Sequence, residues 1–294
     1  MDPTIALELC RFLHGASLML LWGACAYLSF LVPKTLADTV WRMSAMPFFL
    51  ITVIATLTML ISLPAATAII GNGWSDAADI GTLHDVLFDT TVGQAWQAQA
   101  LAAILMICAF LLPEGRRRLG LALASGLGLA AFSLTGHASM LDGWLRQAHR
   151  ANDILHVLTG GGWFGALVSL IPILRLLSRP ECRAEAQLAL RRFSTAGHWA
   201  VALVILSGIV NTMLILKRLP TDWSSPYQTL LAIKIALVAG MSLLAIVNRY
   251  VFVPWISRNP SRALQALRLG SMAEIVIGIV VIALVAVFGT MEPV

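Results

Sequence analysis

Apolar and polar positions segregate on the scale of whole helices. Runs of about 20 mostly apolar residues, the length a helix needs to cross hydrocarbon, recur eight times. They are Ile5–Val32, Met43–Ile70, Ala95–Leu112, Leu119–Met140, Ile154–Leu177, Ser194–Leu216, Thr229–Val253 and Ser271–Gly289, with short polar linkers between. The pattern predicts an all-α polytopic membrane protein, an eight-transmembrane-helix bundle forming one integral membrane domain over residues 1–294. Asp2 and Glu8 stand where a secretory signal would carry basic residues, and the first run is longer than a signal's apolar region, so it reads as a retained span.

Composition agrees and narrows the class. Of 294 residues, 59% are hydrophobic and 12% charged, against roughly 25% charged in a soluble domain. An ordinary cytosolic enzyme, a disordered chain and a nucleic-acid binder are excluded. Lys and Arg outnumber Asp and Glu by 20 to 15, and their placement matters more than their excess. Lys34 and Arg42, Arg116 to Arg118, the group from Arg175 to Arg192, and Arg249 to Arg268 follow the first, third, fifth and seventh runs. The alternate linkers are poor in basic residues. The longest, an acidic linker over 71–94, holds Asp76, Asp79, Asp85 and Asp89 with no Lys or Arg. The positive-inside rule places the basic linkers in the cytoplasm, and the acidic linker and both termini in the periplasm, N-out and C-out.

Two stretches echo each other. Leu13-His14 precedes Gly23-Ala24 in the first run, and Leu155-His156 precedes Gly165-Ala166 in the fifth at the same spacing, each with a nearby tryptophan (Trp22, Trp163). The following runs open with Arg42-Met43-Ser44 and Arg192-Phe193-Ser194. Two readings stay open: tandem four-helix repeats with halves 1–142 and 150–294, related by an axis along the membrane normal, or coincidence between apolar helices.

Ionisable groups inside hydrocarbon are expensive and are candidates for function by default. His137 lies about a turn from the outer end of the fourth run and His156 about a turn below the outer end of the fifth, while His14 is roughly 14 Å into the first at 1.5 Å per residue. His84 and His149 fall in outer linkers, leaving His198 alone near the inner face. Asp153 shares a helical stripe with His156 and is placed to orient it as a metal's outer-shell carboxylate does. Met140 follows His137 by three residues, and Met291 with Glu292 closes the last run on the same side. Imidazole, thioether and carboxylate together suit copper, with sulfur favouring Cu(I) over Cu(II). Each residue also has a plainer reading: an interface histidine reaching water, a structural hydrogen bond at His14, solvation at His84 and His149. Lys234 is expected to hydrogen-bond a carbonyl or pair with Asp153 or Glu292, Glu274 to pair with Arg249 or Arg192 or else serve as an inner-side exit ligand, and the Arg116–Arg118 cluster to anchor topology. Four cysteines without a CxxC pair make neither a disulfide framework nor a zinc module. No Walker A, Rossmann or HExxH motif is present, so neither nucleotide binding nor ATP-driven pumping is expected.

Several segments taken in order resemble the CopD family of bacterial inner-membrane copper-resistance proteins. They are Gly136-His137-Ala138, Asn152-Asp153-Ile154-Leu155-His156, Trp163-Phe164-Gly165, Arg192-Phe193-Ser194, Ser207-Gly208 with Asn211, and Tyr227 with Leu231 and Lys234. The resemblance implies eight helices, copper handling with uptake toward the cytoplasm, and a periplasmic copper-binding partner of the CopC type. No soluble segment here is long enough to fold such a domain, so a separate protein is expected. The combined expectation is a non-enzymatic copper transport protein with a capture site of His137, His156, His14, Asp153, Met140, Met291 and His84. The alternative is a haem b membrane redox protein, with two of these histidines as axial ligands.

Overall fold

The computed structural model describes residues 1–135, 142–256 and 258–293, and within them the chain is helical throughout. Seven helices are long and apolar enough to cross a membrane. They are α1 (Pro3–Phe30), α2 (Lys34–Ile70), α5 (Thr91–Ala109), α7 (Gly143–Leu176), α8 (Arg183–Leu216), the run of α9 (Pro226–Val247) continuing into α10 (Val253–Trp255), and α11 (Pro260–Phe288). The remaining expected span corresponds to α6 (Glu114–Ala131) and a 3₁₀ turn over Phe132–Leu134. At 18 residues, with Glu114 and three arginines in its first turns, α6 is shorter and more polar than the others. The acidic linker folds into α3 (Trp74–Ala77) and α4 (Ile80–Asp89), which pack back on α2 and α5.

Local chemistry sets the helix ends. Asp2 caps α1 by accepting from the backbone N–H groups of Thr4 and Ile5, with Pro3 at the first helical position. Asp79 caps α4, and the N–H of Thr82 that it accepts holds its carboxyl below the ordinary aspartate value. A five-residue π turn, Asn248–Phe252, leads into Pro254, which has no N–H to continue an α-helical ladder.

Most spans are longer than the hydropathy pattern predicts, chiefly on the arginine-rich side. Arg and Lys extend a helix readily into the interface, where long side chains reach water. The exception is α7, which lengthens at its other end, from Ile154 to Gly143, and two expectations change. Glu274 is roughly 21 Å from the start of α11 instead of one turn from it. His149 is buried within α7 and is not a solvated loop residue.

Both chain ends meet at one end of the bundle, called upper here, where Thr290 donates to Glu8 at 3.4 Å. The basic residues gather at the lower end. There Arg118, 5% exposed, pairs with Asp38 at 2.6 Å, so one member of the arginine cluster ties α6 to α2.

The centre of the bundle is α1, which packs against α2, α6, α7 and α11. Its seam with α7 is glycine on glycine. A Cβ on Gly23 would collide with the Gly161 carbonyl and the Gly165 Cα, and one on Gly165 with the Met19 carbonyl and the Gly23 Cα. Trp22 locks the seam by donating from Nε1 to the Leu158 carbonyl at 2.7 Å. In hydrocarbon, such close backbone approach replaces the hydrophobic effect as the source of attraction.

The two ends of the sequence pack differently. In the first part, α2 packs against α5 and α5 against α6, sharing a large apolar core with α1 and α7. In the second, α8 rests on α7 and α9 on α11, but α8 and α9 make no extended contact with each other. The two helices stand as separate arms on α7 and α11, tied at the lower end by the His198–Tyr250 hydrogen bond, and the space between the arms is called the cleft here.

Gly23→Leu and Gly165→Leu are expected to remove the protein from the membrane fraction, whereas Gly115→Leu, where an added Cβ meets nothing within 4 Å, leaves its level unchanged. Immunoblots of membranes at equal expression check this.

Candidate functional site in the helix bundle

His14 is 4% exposed, between α1, α2 and the turn after α6. Its Nδ1 faces the Ala55 carbonyl at 2.9 Å, an acceptor only, so Nδ1 carries the proton. Phe132 meets the ring edge-on, with centroids 5.7 Å apart. Nε2 is then a bare lone pair, sealed from solvent with no hydrogen-bond partner among the described residues.

His156 repeats the arrangement one helix pair further on. Its Nδ1 lies 2.9 Å from the Ser207 hydroxyl oxygen on α8. That hydroxyl gives its own proton to the Leu203 carbonyl, so it accepts from His156 and again leaves Nε2 as the lone pair. Gly208 makes room for the ring: a Cβ there would lie 3.3 Å from Cε1.

Around His156 the walls of the cleft carry a polar ladder. Asn152 donates to Asn211 Oδ1 at 2.6 Å and to the Ser207 carbonyl at 2.9 Å, and Asn211 donates to Asp153 Oδ1 at 3.1 Å. Lys234 on α9 faces both Asp153 and His156 electrostatically, its ammonium 5.9 Å from the centroid of the Phe288 ring. Lys234 and Asp153 therefore influence each other across the bundle but form no ion pair within 4 Å among the described residues. Asp153 does not orient His156, however: the i, i+3 stripe points the two side chains to different partners on α8.

The remaining predicted residues are dispersed. His14 and His156 hydrogen-bond to different helices, and among the described residues no three His, Cys, Asp or Glu side chains form a ready metal cluster. His137 and Met140 lie outside the described residues. The chain leading to them departs at Thr135, just after the Phe132 that packs on His14. His84 is exposed on α4, 3.5 Å from Asp85 and against Phe88. Met291 lines an open cavity of about 540 Å³ at the upper end with Asp222, Ser224, Tyr227 and Glu292. Asp222 carried no sequence signal, being one aspartate in a polar loop. The Ser224 hydroxyl and N–H hold its carboxyl below the usual aspartate value, so it stays charged well below neutral pH.

Glu274 has a different neighbourhood from the one expected. It is 2% exposed and accepts from Asn248 Nδ2 at 2.6 Å and from Trp163, with no ion-pair partner among the described residues. Neither Arg249 nor Arg192 forms the expected ion pair with it among the described residues.

A polytopic helical bundle with histidine, aspartate, glutamate and lysine side chains buried or half-buried among its spans defines a multi-pass membrane protein. Comparison with known proteins places it more narrowly. Residues 1–147 match the model of the copper resistance protein D-like N-terminal domain, and residues 187–288 that of copper resistance protein D. The chain is 32% identical to inner membrane protein YebZ of Escherichia coli over 96% of its length and 97% of YebZ. It is 34% identical to copper resistance protein D of Pseudomonas syringae pv. tomato over 69% of each. Copper transport protein CutJ of Bacillus subtilis is 27% identical over 79% of this chain, which spans 43% of CutJ. The chain belongs to the copper resistance protein D family. Its fold also resembles bd oxidase of Geobacillus thermodenitrificans, at a TM-score of 0.55 and 11% identity over 99% of this chain and 87% of that one, a likeness of architecture alone.

Asn211→Leu leaves the Asp153 and Asn152 side chains short of partners and is expected to cost about 1–3 kcal/mol. Asn211→Gln is expected to recover part of it. Thermal unfolding in detergent measures both.

Proposed function

We propose that this protein carries copper across the bacterial inner membrane toward the cytoplasm, the ion being its cargo. The observation that carries the reading is the matched state of His14 and His156. Each places Nδ1 2.9 Å from an acceptor on the next helix, which leaves the lone pair on Nε2, the tautomer a metal-ligating histidine requires; at His14 that nitrogen is also buried with no hydrogen-bond partner among the described residues. Family membership and the printed names of the copper-resistance and copper-transport relatives support copper as the ion.

The ion is first attracted at the upper, periplasmic end by the carboxylates of Asp222 and Glu292 beside the Met291 thioether. His137 and Met140, and His84 from the acidic linker, assist there. His156 and His14 are the next ligands, with the Asp153 charge balanced by Lys234. Inward movement of a cation is driven by the membrane potential, about 2.3 kcal/mol per charge at 100 mV. Both termini are periplasmic and α6 is the eighth span, its 18 residues rising roughly 27 Å before the 3₁₀ turn. The matching histidine bonds, α1 to α2 and α7 to α8, favour a duplicated four-helix unit over coincidence. Copper is delivered by a separate CopC-like periplasmic protein.

His14→Ala, His137→Ala and His156→Ala are each expected to reduce cellular copper accumulation to the level of a deletion strain, with the protein still in the membrane. Ser207→Ala, which frees the His156 ring, is expected to lower accumulation about tenfold. Cellular copper measured by mass spectrometry decides: unchanged copper in the His156 and His14 variants overturns the reading. A periplasm-active reporter enzyme inserted at Gly73 is expected to be active, and the same reporter at Gly115 inactive. The reverse pattern overturns the orientation.

A further inference from the structure

The lower half of the cleft holds a second polar cluster that metal capture does not use. On α7, Trp163 is seven residues, or roughly 10 Å, below His156, and there it donates to the Glu274 carboxylate on α11. Asn248, at the start of the π turn, donates to the same carboxylate at 2.6 Å. Its carboxamide lies where a Cβ on Gly270 would collide with it, so the glycine makes space for this contact. π turns interrupt α-helices mostly at functional positions.

The balance of charge and hydrogen bonds is incomplete as drawn. Both donors to Glu274 are neutral, and a carboxylate 2% exposed in hydrocarbon needs a compensating positive charge. No cation supplies one. On α9 and its π turn, Arg249 is the nearest basic residue in sequence, and on α11 it is Arg268. Neither forms an ion pair with Glu274. From α8, His198 spends Nδ1 on the Ser194 carbonyl at 2.6 Å and accepts from the Tyr250 hydroxyl at 3.1 Å. On α7, Trp163 and Phe164 face this region and carry no charge. Meanwhile Asn248 Oδ1 is buried with no donor. The cluster lacks one positive charge and one hydrogen-bond donor, and a proton on Glu274 supplies both.

We propose that Glu274, clamped by Asn248 and Trp163 below the histidines, is a proton-binding site of the cleft. Its donors are oxygen and amide groups with no sulfur or imidazole, a set that suits a proton and not a soft metal ion. The site stands independently of the copper reading. Its use rests on that reading: as a monovalent cation passes, the proton is released to water at the lower end and returns from the same side afterwards, so the cleft's net charge is conserved and the cation's charge alone crosses the membrane.

Infrared spectroscopy of the purified protein in lipid at neutral pH tests the site directly through the carbonyl stretch of a protonated carboxylic acid. The wild type is expected to show this band. Glu274→Gln is expected to lose it, and Asp153→Asn to keep a band from Glu274. Trp163→Phe, which removes one donor and preserves an aromatic ring, is expected to move the band to higher frequency. It serves as the second test if the glutamine variant does not fold. Absence of the band, or a band unaffected by both substitutions, overturns the proton site. Added Cu(I) is expected to diminish the wild-type band. A wild type that binds Cu(I) with its band unchanged overturns the exchange. A wild type that binds no copper yet keeps a Glu274-dependent band overturns the copper reading and supports the proton site.

Discussion

Hydrocarbon cannot satisfy a polar group, and the architecture of this protein follows from that constraint. Backbone groups are satisfied within helices, and threonine and serine hydroxyls fold back on their own helices, as Thr52, Thr58 and Thr67 do on α2. Side chains unable to do this reach across to a neighbour: His14 to Ala55, His156 to Ser207, Asn211 to Asp153, Asn248 to Glu274. His14 Nε2 and Asn248 Oδ1 are among the buried atoms with no hydrogen-bond partner among the described residues, and the proposed copper and proton sites are built on them. Exceptions are informative here because the rule is strict.

Rigidity and openness are distributed to match. The glycine seam between α1 and α7 brings backbones together and fixes the two helices that carry His14 and His156. Around α1, α2, α5 and α6 the packing is continuous and apolar. Between α8 and α9 there is no extended contact, and the polar ladder joins α7 to α8 beside that gap. The other half holds α1 and the scaffold in place.

Much of the fold was legible because hydropathy reads membrane spans directly: each expected apolar run corresponds to a helix, with α6 the shortest. The lower helix ends were not legible, because arginine-rich turns beyond the hydrocarbon remain helical without being apolar. That displaced Glu274 from where the sequence put it, while His149 was displaced by the upward extension of α7 to Gly143. Of the site, the individual residues His14, His156, Asp153, Asn211 and Lys234 stood out as polar groups among apolar ones. Their partnerships did not, since hydropathy does not fix helix rotation. The Asp153–His156 stripe was read as a bond, whereas each residue turns to α8 separately. Asp222 had no signal, since its place in the upper cavity depends on where a loop folds.

At the centre of the proposal, the imidazole nitrogens of His14 and His156 receive copper. X-ray absorption at the copper edge, on protein loaded with Cu(I) in lipid, reads the ligands directly. Nitrogen neighbours with the outer-shell scattering of imidazole rings are expected, lost when His14 and His156 are both replaced by alanine. A shell of oxygen or sulfur alone in the wild type, or an identical spectrum in the double variant, would contradict it.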